Sequence, residues 1–140
     1  MAGGAAWNEE QKGWKEVRQL LAVAAGGAIG ASLRWLMAGA IQRAAGSSFP
    51  WGTFAVNALG SFALGFLFVY LLERSSYGEL LRLMLTVGLL GAFTTFSTYS
   101  IESIRLLEQG AFGLAAANVF GQVAICLVLT WLGIQLARYF

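Results

Sequence analysis

The sequence predicts an all-α membrane protein of four transmembrane helices, with a break in the third. Three observations carry that prediction. Of 140 residues, 58% are hydrophobic and only 11% are charged, against about 25% charged residues in an ordinary soluble domain. So small a soluble domain could not hide that much apolar surface, so the bilayer is the expected solvent. Four apolar segments follow one another with short connectors, and each exceeds the ~20 residues that a helix needs to cross a hydrocarbon core. The third segment also contains the run "GLLGAFTTFSTYSIE" at 88–102, which places two glycines and five serines or threonines where a regular apolar helix is expected.

Residues 1–19 are polar and of mixed charge, and with Trp7 and Trp14 they suit an N-terminal interfacial segment. They are not read as a signal peptide, because the apolar run that follows is too long and carries an arginine. Residues 20–140 then form one four-helix transmembrane unit. The first span covers about 20–42, the second 51–72, the third 80–104 and the fourth 112–137. Four spans place both termini on one side. Lys12, Lys15, Arg18, Arg74, Arg82 and Arg138 fall on that side, with Arg43 and Arg105 opposite, a bias that reads as termini in the cytoplasm. In the first span Ala22, Gly26 and Gly30 recur every four residues, the spacing that lets two helix backbones approach closely.

Composition also excludes chemistry. The chain has no histidine and no aspartate, which removes the Ser-His-Asp triad and histidine-containing zinc sites. The single Cys126 lies in an apolar run and reads as a small core residue. No enzymatic activity is expected. The net charge of +2 gives no footprint for nucleic acid.

The polar residues inside the spans therefore carry the functional signal. Arg34 sits in the distal half of the first span, where charge costs about 2.5–3.5 kcal/mol at a helix centre. It reads equally as a snorkelling side chain and as an anion attractor. Asn57, early in the second span, must find a partner in lipid, either on a neighbouring helix or along a permeation path. In the fourth span Asn118, Gln122, Cys126 and Thr130 recur at four-residue intervals, which aligns them on one helix face.

The third span is the most informative. Gly88 and Gly91 each weaken a helix interior by ~1 kcal/mol relative to alanine. Thr94, Thr95, Ser97, Thr98 and Ser100 offer alternatives to the helical ladder. A break is expected near 91–95, with freed carbonyls suited to a small cation or freed N–H groups suited to an anion. Phe96 and Tyr99 follow at a three-residue spacing and share a face, so their positive ring edges are available to an anion. Glu102 ends the pattern as a solvated cap or a vestibule residue.

With "GGAIGASLR" in the first span, "GTFAVNALGSF" in the second and the G-x-x-G-x-x-T-T-F-S-T-[FY]-S-x-E run in the third, the chain resembles the CrcB/Fluc family of bacterial fluoride channels. The resemblance covers nearly all of 20–137. It implies an antiparallel, dual-topology homodimer in the bacterial plasma (inner) membrane that exports cytosolic fluoride passively through two pores. It further implies a structural sodium ion at the dimer centre, held by backbone carbonyls that correspond to Gly91 and Thr94. By the same resemblance the pore-lining residues are Asn57, Phe96, Ser97, Thr98 and Tyr99, with Asn118, Gln122 and Thr130 as a polar track. Arg34 and Glu102 stand at the entrances. The chain departs from the family at Tyr99, where phenylalanine is usual, and in its six-to-two Lys/Arg asymmetry. The competing expectation is a small proton-coupled multidrug exporter, which also has four spans but needs a carboxylate deep in the bundle.

Overall fold

The computed structural model describes residues 3–73 and 78–140, so Arg74 and the side chain of Trp7 lie outside the described residues. The described residues form helices joined by short turns. Helix α1 runs over Gly3–Ala45 and α2 over Trp51–Glu73. The third span is composite: α3 (Glu79–Arg82), a π-helical stretch over Leu83–Leu90, α4 (Gly91–Phe93) and α5 (Phe96–Glu108). The fourth runs through α6 (Phe112–Ala116), a second π-helical turn (Ala117–Gly121) and α7 (Gln122–Tyr139). Four stretches are long and apolar enough to cross a membrane: Gln11–Ala45, Trp51–Leu71, Glu79–Glu108 and Phe112–Tyr139.

The polar N-terminal stretch continues into the first span without interruption. At a rise of 1.5 Å per residue, α1 extends over roughly 65 Å, about twice the ~30 Å hydrocarbon core. Its polar end is tied to the start of α3: Lys15 pairs with Glu79 at 3.1 Å, and Gln19 Nε2 donates to Glu79 Oε1 at 2.8 Å.

Side chains and glycines close the turns. Gln42 Nε2 donates to the carbonyls of Ser47 (2.9 Å) and Phe49 (3.1 Å), and its Oε1 accepts from Gly52 N–H at 3.1 Å. One glutamine thus holds the first turn and satisfies one of the free amides at the start of α2. After α5 the chain turns at Gly110, whose φ of 71° suits glycine. Ala111 N–H reaches back to Leu106 O and Gly110 N–H to Leu107 O, the paired bonds of a Schellman ending.

Glycines set how closely the spans approach. A Cβ on Gly26 would collide with the Met84 carbonyl, and one on Gly30 with the Leu89 carbonyl. The four-residue stripe of the first span therefore serves as the bearing surface for the π-helical part of the third. Gly65 meets the Thr130 carbonyl and Gly133 the Phe62 carbonyl in the same way, which clamps α2 against α7. Without a hydrophobic driving force between helices in lipid, such backbone proximity supplies the packing energy.

Candidate functional site

The site is organised around two extended residues. Thr94 (φ −88°, ψ 159°) and Thr95 (φ −152°, ψ 118°) separate α4 from α5. Thr95 caps α5: its Oγ1 accepts from Thr98 N–H at 3.2 Å and donates to Thr98 Oγ1 at 3.0 Å. In a continuous helix Thr95 N–H would bond the Gly91 carbonyl. Here that N–H goes to Asn57 Oδ1 at 2.7 Å, while Asn57 Nδ2 donates back to Thr95 O at 3.0 Å. One buried asparagine on α2 thus satisfies both backbone groups of a buried residue in the third span, as a β-ladder neighbour would. The Gly91 carbonyl loses its usual donor. The Thr94 carbonyl faces Arg34 Nη1 at 3.4 Å, so the first-span arginine is directed at these two extended residues.

A groove of about 300 Å³ opens on one side of Thr95, lined by Asn57, Phe96, Tyr99, Gln122, Cys126 and Thr130 among others. Phe96 is 75% exposed and Tyr99 is buried, with ring centroids 5.2 Å apart and planes tilted by 44°. The Tyr99 hydroxyl is already committed: it donates to the Val119 carbonyl at 3.0 Å, within the second π-helical turn. Gln122, buried in the groove wall, accepts from Asn57 Nδ2 at 3.4 Å through Oε1, and its Nε2 has no partner. Thr130 Oγ1 bonds the carbonyls of Cys126 (2.9 Å) and Ser61 (3.3 Å).

A second groove, of about 410 Å³, lies on the other side of Thr95. Arg34, Thr53, Thr98 and Glu102 line it. Glu102 Oε1 accepts from Thr53 Oγ1 at 2.8 Å, and its Oε2 is buried without a partner. Thr95 and its asparagine clamp therefore stand between the two grooves.

The structure thus brings Asn57, Phe96, Tyr99, Gln122 and Thr130 to one groove, and Arg34, Thr98 and Glu102 to the other. Of the pore and entrance candidates, two line neither; of the two carbonyl candidates, Thr94 lines the first groove and Gly91 neither. Ser97 is exposed and its hydroxyl meets only Thr95 Oγ1, at 3.3 Å. Asn118 is fully buried, and its Nδ2 donates to Ser103 Oγ (2.9 Å), which in turn donates to the Tyr99 carbonyl (2.8 Å). Sequence reasoning missed Thr53 and Ser103. Their signals are one-turn spacings, Thr53 to Asn57 and Tyr99 to Ser103. It also read Cys126 as core, whereas the half-buried thiol lines the groove on the stripe with Gln122 and Thr130. Among the described residues, no group of His, Cys, Asp or Glu side chains could hold a metal ion.

Residues 21–134 match the family model described as CrcB-like protein, Camphor Resistance (CrcB). The chain is 50% identical over 119 residues to a protein of Geobacter sulfurreducens named fluoride-specific ion channel FluC, covering 85% of this chain and 96% of that one. Proteins of the same name from Geobacter metallireducens (45% over 120 residues, 86% and 97% covered) and Geotalea daltonii (46% over 113 residues, 81% and 91% covered) are similarly alike.

Proposed function

The chain belongs to the CrcB-like family, and from that premise we propose that it is a fluoride-selective ion channel, a multi-pass protein of the bacterial inner membrane that lets cytosolic fluoride leave passively. The observation that carries the reading is the composition of the groove beside Thr95. Uncharged amides and hydroxyls alternate there with aromatic rings: Asn57, Gln122 and Thr130 with Phe96 and Tyr99. A small anion that sheds water needs donors in its place. Side-chain amides and hydroxyls supply them without the deep trap of a cation, and ring edges add weak positive potential. Arg34, in the adjoining groove, raises the local concentration of anions without lying in the narrow path. The reaction is conduction and not catalysis.

The exporter reading is not favoured. Among the described residues that line the groove there is no carboxylate, and Glu102 lies on the far side of Thr95, bonded to Thr53.

We further propose that two copies pack antiparallel and that each completes the other's groove. The exposure of Phe96 and Leu127 at the open groove edge supports this. The Gly91 carbonyl, freed by the Asn57–Thr95 bond, and the Thr94 carbonyl are hard oxygen ligands suited to a sodium ion at the centre of such a dimer. Bound there, sodium would fix the two subunits' extended segments electrostatically. Gly91 is exposed, so a second copy can approach its backbone.

The test is efflux of fluoride against chloride from liposomes holding the purified protein. Fluoride release well above protein-free liposomes with chloride retained is expected. Equal release of both ions, or none, removes the reading.

A further inference from the structure

Two further grooves meet at Glu79, the first residue of the third span. One, of about 410 Å³, is lined by Lys15, Arg18 and Gln19 together with Glu79. The other, of about 420 Å³, sets Arg82 and Glu79 against an apolar wall of Phe68, Leu71 and Leu83. Both carboxylate oxygens of Glu79 are engaged from α1: Oε2 pairs with Lys15 Nζ at 3.1 Å, and Oε1 accepts from Gln19 Nε2 at 2.8 Å. Arg18 and Arg82 have no carboxylate partner among the described residues, and among those residues Glu79 alone supplies a carboxylate to either groove. Three cations therefore share one anion. Their depth follows from the sequence on either side. Leu20 and Leu21 are exposed apolar residues, so hydrocarbon begins within one helical turn of Arg18. Trp14, exposed one turn before Arg18, is a residue type that favours the membrane interface. The bonds from Lys15 and Gln19 hold the start of the third span at that same level.

We propose that these two grooves seat an anionic phospholipid of the surrounding leaflet, with its phosphate drawn to Arg18 and Arg82 and an acyl chain laid along Phe68, Leu71 and Leu83. The proposal goes beyond fluoride conduction and does not depend on it. Charge complementarity selects the occupant. A guanidinium offers paired N–H donors that match phosphate oxygens, and basic pockets between membrane helices suit acidic lipid headgroups. A zwitterionic lipid brings its own ammonium, which answers its phosphate and leaves the surplus cations unmet. A free phosphate would use the guanidinium groups but not the apolar wall beside Arg82. Only an anionic lipid uses both halves of the patch. Lys15 and Arg18 precede the residues that the family model matches, so this basic lobe is no part of what defines the family. Its effect is to tie the polar extension of α1 and the start of the third span to one leaflet.

The test is native mass spectrometry of the full chain in detergent with added phosphatidylglycerol or with phosphatidylcholine of the same acyl chains. Wild type is expected to retain phosphatidylglycerol and to release phosphatidylcholine. Arg18→Gln and Arg82→Gln are each expected to weaken retention about fivefold, and the double variant at least about tenfold. Equal retention of the two lipids, no retained lipid in wild type (as when a second copy covers the grooves), or the double variant binding like wild type overturns the proposal. A second measurement needs no variant. The melting temperature of wild type in detergent is expected to rise with phosphatidylglycerol, and not with phosphatidylcholine or with sodium phosphate at matched ionic strength. Sodium phosphate raising it as much as the lipid makes this a site for free phosphate and overturns the lipid as occupant. No rise with phosphatidylglycerol, or an equal rise with phosphatidylcholine, overturns the proposal as well. Fluoride efflux enters none of these readouts, so the channel reading stands or falls separately.

Discussion

Replacing Asn57 with leucine should loosen the third span locally, and the size of the effect follows from the bonds lost. Leucine keeps the approximate volume but supplies neither donor nor acceptor. Thr95 is buried, so its N–H and C=O both lose the partners they had at 2.7 and 3.0 Å. A buried polar group left unpaired costs about 1–3 kcal/mol, so the two together come to about 2–6 kcal/mol. Part of the loss is recovered if Thr95 N–H swings back to the Gly91 carbonyl and closes a helical turn. The lower end, about 2 kcal/mol, is therefore the safer expectation, and it corresponds to about a 30-fold change in a local opening equilibrium. Hydrogen exchange by mass spectrometry in detergent micelles reads this directly, in peptides spanning 93–99. Peptides from α2 near Trp51 and from α7 near Arg138 serve as internal references, because Asn57 touches neither. Faster exchange confined to the 93–99 region is expected. Exchange within twofold of wild type there would refute the view that Asn57 holds the extended pair in place, and with it the account of why the Gly91 carbonyl is free.

Three further outcomes follow. Tyr99→Phe keeps the ring and removes only the hydroxyl bonded to the Val119 carbonyl at 3.0 Å; flux within about twofold of wild type is expected in the liposome assay, with stability to heat in detergent lower by about 1 kcal/mol. Phe96→Ile removes an aromatic edge from the groove and is expected to lower fluoride flux by about tenfold or more, equivalent to about 1.4 kcal/mol on the barrier; a wild-type rate would take Phe96 off the path. Gly30→Ala places a Cβ against the Leu89 carbonyl, whereas the nearest atom to a Cβ on Gly27 is Gly88 O at 3.9 Å. Thermal unfolding should therefore show Gly30→Ala destabilised by about 1–3 kcal/mol and Gly27→Ala unchanged, and reversal of that order would contradict the packing.

The four spans were legible because length and apolarity are local properties, and a bilayer reads them locally. The glycine stripe at 26 and 30 was legible as a close-packing face for the same reason, but its partner was not. Nothing near Gly26 names Met84, and nothing near Gly30 names Leu89. The two π-helical stretches left no mark either. "LMLTVGLL" and "ANVFG" hold no residue that favours five-residue over four-residue bonding; in the second, the Val119 carbonyl accepts from the Tyr99 hydroxyl. Asn57 shows the limit most clearly. Its need for a partner in lipid follows from the amide alone, but the partner lies 38 residues away in Thr95. A helix face can be read from periodicity; the face opposite it cannot.

That limit also explains why Asn57 reads in sequence as either an interhelical bond or a donor on a permeation path, and in structure as a clamp on Thr95. From the chain alone, an asparagine in an apolar helix is a free amide in search of a task. Once Thr95 is extended, its N–H and C=O become two buried backbone groups without helical partners, and the nearest carboxamide is bound to serve them first. The same amide also reaches Gln122 Oε1 at 3.4 Å, on the Asn118–Gln122–Cys126–Thr130 stripe of the fourth span. The hydroxyl-rich run at 94–100 therefore shapes the groove indirectly. Its backbone takes up Asn57 from one side and its Tyr99 hydroxyl takes up Val119 from the other, and the Gly91 carbonyl is left without its usual helical donor.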